Sequence, residues 1–154
     1  MTTFAYAGAA ALVALHEQEL RAFLPVWKRA HEQGLAMPAT EDPSYASREE
    51  LLRHVMRAAR GYMTWICTQL DLPDPGIEPT PEAADLAADP DGYMEHVLER
   101  WRAPLTGVAE ERFEAESYMA RWGSPFTIDG MLEHAVIHPL RHAHQLRQLM
   151  GEGA

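Results

Sequence analysis

The chain has 154 residues, 47% hydrophobic and 23% charged, a balance that fits one globular domain spanning residues 1–154. Its formal net charge of -10, from 23 acidic and 13 basic residues, argues against a nucleic-acid or anionic membrane surface, since both need clustered Lys and Arg. No apolar run approaches the roughly 20 residues that span a bilayer, the Ala-rich N-terminus lacks the basic region of a signal peptide, and the single cysteine, Cys67, allows no intrachain disulfide; a cytoplasmic location is expected.

Ala and Leu dominate while Val and Ile are few, which favours helices because Ala and Leu lose little side-chain freedom there. The first helix is expected from about Tyr6 to Gln33, carrying Leu12, Leu15, Phe23, Val26 and Trp27, with a kink at Pro25 and a stop at Gly34. The stretch MPATEDPSYAS then reads as turns. Ser47 with Glu50 three residues on has capping-box spacing and starts a second helix that ends near Leu70. One stripe of that helix carries Leu51, His54, Val55, Ala58, Tyr62 and Trp65.

Residues 71–90 hold five prolines and many acids, and read as a long connection without a core element. A third helix is expected from near Asp91, with Tyr93, Met94, Val97, Leu98 and Trp101, ending or kinking at Pro104 and Gly107. The segment EERFEAESYMARWGSPF is compatible with helix from Glu110 to Trp122 followed by a turn at Gly123-Ser124-Pro125. Thr127 caps a fourth helix, with Asp129 in its first turn, running to Met150 before Gly151. Four long segments and one long connection predict an all-α, antiparallel four-helix bundle.

The chemistry concentrates in HAVIHPLRHAHQL (residues 134–146), which contains four of the eight histidines. Residues four apart share a helix face, so His138 and His142 can address one metal ion, and so can His134 and His138. All three cannot, because His134 and His142 lie about 12 Å apart along a regular helix. His144 points about 160° away from His142. A third ligand must come from a facing helix, and His54 is the best candidate because it lies on an apolar stripe. His16, His31 and His96 are flanked by charge and read as surface residues. No Glu-x-x-His, His-Glu-x-x-His, phosphate-binding loop or nucleophile elbow occurs, and Cys67 reads as a buried thiol.

With SREELLRHVMRAARGYMTWI and WGSPFTIDGMLEHAVIHPLRHAHQL on the page, the chain resembles the DinB/YfiT-like metalloenzyme family over most of its length. The resemblance implies a four-helix bundle holding one divalent ion, Zn or Ni, through one histidine of the second helix and a His-x-x-x-His pair on the fourth. The Gln-Leu at plus seven and plus eight selects His138 and His142, with Gln145 and Leu146 following, and His54 matches the second-helix ligand. Many relatives carry His-His-Arg-Gly-Gln, where this chain has Arg141-His142-Ala143-His144-Gln145, and Pro139 leaves the carbonyl of Ala135 without its helical donor.

What the resemblance implies for function is a metal-dependent transferase that uses a low-molecular-weight thiol, bacillithiol or mycothiol, on a small electrophilic substrate, or a metal-dependent hydrolase. The alternative of a different class is a non-catalytic, stress-associated metal-binding protein. A homodimer is expected, through the apolar N-terminal surface together with Trp27. Tyr62 or an acid from residues 71–90 would serve as general base.

Overall fold

The computed structural model describes residues 3–152. It is mostly helical: α1 is Ala7–Glu32, α2 Arg48–Gln69, α3 Ala83–Ala88, α4 Pro90–Trp101, α5 Glu111–Glu114 and α6 Ile128–Leu149. A 3₁₀ turn, Pro43–Tyr45, precedes α2, and a two-stranded antiparallel hairpin, β1 Tyr118–Met119 and β2 Pro125–Phe126, precedes α6. Among the described residues, no helix is long and apolar enough to cross a membrane.

The two helices that matter most for function start where the sequence places their caps. The Ser47 hydroxyl accepts from the Glu50 amide at 3.0 Å and opens α2, and the Thr127 hydroxyl accepts from Gly130 at 3.0 Å and opens α6. Each satisfies one of the amides that a helix start leaves without a backbone partner. α1 runs through Pro25 and α6 through Pro139 as continuous helices.

α1 packs on α6, α4 and α2, and α2 packs on α6, α4 and α3. Between them lies one core, in which Phe23, Trp27, Leu51, Met56, Ile66, Trp101 and Leu132 are almost wholly removed from water. Each such side chain contributes about 1.5–3 kcal/mol on burial. The indole N–H groups keep partners inside it: Trp27 donates to the Arg48 carbonyl at 2.7 Å and Trp101 to the Ala59 carbonyl at 3.0 Å. Trp27 is therefore a core residue and supplies nothing to an outer surface, contrary to its expected part in a dimer face.

Three other expectations need correction. Residues 71–90 are not free of core elements: they contain α3, and Ile77, Leu86 and Pro90 are buried. The polar count of the segment hides those few apolar anchors. His16 is not a surface residue; it is 1% exposed and stacks on Trp101 with ring centroids 3.6 Å apart. The charged neighbours that suggested exposure lie on other faces of the same helix.

The third correction concerns residues 110–122. Helix persists only over Glu111–Glu114, anchored by the buried Phe113. Beyond it the chain turns into the hairpin, where Ala120 donates to the Ser124 carbonyl and Gly123 adopts φ +86, a left-handed conformation that glycine takes without strain. The Trp65 indole donates to the Met119 carbonyl at 3.2 Å and ties the hairpin to α2. Tertiary contacts override the helical propensity of an Ala- and Glu-rich segment.

Candidate metal centre

α2 and α6 face each other across a cavity of about 900 Å³. The α2 wall is one helical stripe: His54, Arg57, Ala58, Gly61, Tyr62 and Trp65. The α6 wall is another: Met131, His134, His138, Arg141, His142 and Gln145. Both follow i, i+3, i+4, i+7 spacing, which puts every member on one side of its helix. The helices run in opposite directions here, since His54 lies against His142 while Tyr62, two turns on, lies against His134. Asp42 and Tyr45 line the cavity from the loop before α2, and Arg121 and Trp122 from the hairpin.

His54, His138 and His142 meet in this cavity, each offering a ring nitrogen within 4.8 Å of the others. Among the described residues no carboxylate or thiol joins them. His54 Nε2 lies 3.0 Å from His138 Nε2, and the buried His142 Nε2 has no hydrogen-bond partner. An imidazole nitrogen that is buried and unpartnered beside two others costs free energy unless something fills the gap. That observation, with the all-nitrogen donor set, fits a divalent ion of the imidazole-preferring kind.

A relay of side chains fixes the ring of His142. The Tyr45 hydroxyl lies 3.2 Å from His142 Nδ1 and donates its own proton to the Gln145 side-chain oxygen. With that proton committed, the tyrosine oxygen accepts from Nδ1–H, which leaves the Nε2 lone pair facing the other two rings. Tyr45 is held by the 3₁₀ turn, where Asp42 accepts from the Ser44 amide at 2.9 Å.

The electrostatics keep all three rings neutral. Burial pushes His138 down to about 2, with His142, His54 and Arg141 adding to the shift. Burial also lowers His142, to about 4, and lowers His54, where the Asp42 charge works against it. Only the neutral imidazole offers a lone pair, so these shifts suit ligation.

Of the bystander histidines, His144 is exposed on the far side of α6, as its angular position predicts. His134 is half-buried in the cavity wall and stacks on Trp122, with centroids 5.2 Å apart. Neither expected general base is supported. No acid from residues 71–90 lines the cavity, and the carboxylate that does is Asp42. Burial raises the Tyr62 phenol to about 12, so at neutral pH it keeps its proton and does not serve as a base. Gln145 is already marked by the resemblance; Arg57 and Arg141 are legible from helical spacing, each three residues from one of the histidines. Asp42, Tyr45, Arg121 and Trp122 had no such signal.

In comparisons with known proteins, no family model, curated protein or solved structure matches this chain.

Proposed function

We propose that this chain is a DinB-like metal-dependent enzyme, built as a four-helix bundle on α1, α2, α4 and α6, with one divalent ion held by His54, His138 and His142. The observation that carries the reading is a set of three neutral imidazoles, without a fourth protein ligand among the described residues, facing a cavity large enough for a small molecule. A closed structural site takes four protein ligands, whereas three leave one position for a reactant. Zn and Ni are the ions proposed.

Bound there, a divalent ion lowers the pKa of a thiol or water at neutral pH. The reaction we favour is transfer of a low-molecular-weight thiol, bacillithiol or mycothiol, to a small electrophile, with hydrolysis as the second use of the same chemistry. In either, Tyr45 and Gln145 orient the His142 ring, and the Tyr62 hydroxyl supplies a proton donor on the cavity wall.

Elemental analysis tests the site first. The purified protein should hold about one ion per chain and a His138→Ala variant essentially none. Zinc- or nickel-loaded protein should then couple bacillithiol or mycothiol to monochlorobimane faster than chelated protein does. Equal, negligible metal in both proteins would end the metal reading. Stoichiometric metal without turnover on either thiol would leave a binding protein and remove the transferase.

A further inference from the structure

The cavity carries three arginines that the rest of the fold does not use. Elsewhere Arg21, Arg29, Arg53 and Arg102 meet glutamates and Arg48 and Arg60 donate to carbonyls, while Arg100, Arg112 and Arg147 are unpaired among the described residues but lie outside the cavity. Arg57, Arg121 and Arg141 make no ion pair or side-chain hydrogen bond among the described residues, yet all three line the cavity. They come from three elements: α2, the hairpin loop and α6. Asp42 is the one carboxylate facing them.

Arg121 reaches back over α2. A Cβ built on Gly61, in the middle of that helix, would stand 3.6 Å from an Arg121 guanidinium nitrogen, an ordinary contact that places the guanidinium over α2 on the cavity side. Next to it, Trp122 is 52% exposed, an unusual exposure for an indole, and with Trp65 and Tyr62 it forms an aromatic wall.

We infer that the cavity receives a small organic anion, with its carboxylate or equivalent oxyanion held by Arg57, Arg121 and Arg141 and its apolar part against Trp65 and Trp122. The inference rests on the metal reading only in naming this cavity as the reactive one. Guanidinium groups bind carboxylates through paired, charge-assisted hydrogen bonds. Three positive charges in a concave site of a chain with net charge -10 also create a local field that draws anions to this face.

The test compares 2-naphthylacetate with its uncharged amide by titration calorimetry and tryptophan quenching, on zinc-loaded protein and on the same protein after chelation. The acid should bind at least about tenfold tighter than the amide in both states, because charge-assisted hydrogen bonds to guanidinium are stronger than neutral ones. Arg57→Gln, Arg121→Gln and Arg141→Gln should each erode that preference, and the lysine variants should retain part of it. Circular dichroism checks that each variant is folded. Equal binding of acid and amide overturns the inference, as does a preference that the glutamine variants leave intact. A preference present only in the zinc-loaded protein also overturns it, assigning the anion to the metal while the metal reading stands. A preference that persists in protein unable to hold metal supports the arginine site and removes the metal reading alone.

Discussion

His16 shows how far burial alone can move a side chain. Both ring nitrogens are buried without a hydrogen-bond partner, and desolvation lowers the ring from 6.5 to about 3. The unfolded chain therefore takes up a proton at this residue between those values while the folded chain does not. The stability that neutral His16 retains above pH 6.5 is lost as pH falls toward 3, by up to ~1.4 kcal/mol per pH unit. A His16→Phe variant keeps a ring against Trp101 and has nothing to protonate. Urea midpoints should show it gaining on the parent protein between pH 6 and pH 4, by about a kcal/mol or more. Parallel pH profiles would mean that His16 reaches water. Tyr45 makes a second prediction at this scale. Tyr45→Phe removes the acceptor for His142 Nδ1 while leaving the three imidazoles in place. Metal affinity, measured against a chromophoric chelator, should fall about 10- to 100-fold with helicity unchanged.

At the level of elements, α2 serves two surfaces at once. Leu51, Leu52, Val55, Met56, Met63 and Ile66 enter the core, while His54, Arg57, Gly61 and Trp65 face the cavity. Sequence periodicity reads one stripe, Leu51, His54, Val55, Ala58, Tyr62 and Trp65, which the structure divides between core and cavity. Gly61 is the point of compromise. An alanine Cβ would meet Arg121 at 3.6 Å, an ordinary contact, so Gly61→Ala should fit and raise the unfolding free energy by about 0.5–1 kcal/mol. Thermal unfolding should show a rise of about 1–4 °C. A larger Gly61→Leu would project into the cavity and should weaken binding of the naphthylacetate probe without loss of fold. The hairpin is the opposite case. Nothing local in EAESYMARWGSPF announces two-residue strands, because their pairing depends on Trp65 and on the packing of Phe113.

For the whole molecule, the three histidines would form a cross-link around the proposed ion. His54 belongs to α2 and His138 and His142 to α6, so an ion between them joins two elements distant in sequence. Anything that binds the folded state alone stabilises it by mass action, about 2.7 kcal/mol at a hundredfold excess over the dissociation constant. Chelation should lower the melting temperature of the parent protein and leave that of His138→Ala unchanged. The metal should also stay bound as pH falls through 6.5, because burial holds His138 near 2 and His142 near 4, so protons compete for these nitrogens only at lower pH. Metal release that followed an ordinary histidine titration would contradict the buried geometry.

The amino-acid sequence alone determined the helical class, the Ser47 and Thr127 caps, and two i, i+4 pairs, His134/His138 and His138/His142, because helix geometry converts local spacing directly into a shared face. Choosing His138/His142 over His134/His138 took more than spacing, since both pairs are equivalent on a regular helix. The tertiary structure brings His54, already singled out on its apolar stripe, to His138 and His142, and it alone decided that His16 is buried and that Tyr45 completes the contacts of His142. It alone gathered Arg57, Arg121 and Arg141 into one cavity. Those residues lie up to 97 positions apart, as Tyr45 and His142 do, and no local signal survives such a distance. Their meeting is set by how the apolar faces of α1, α2, α4 and α6 pack together, which is a property of the core rather than of any segment.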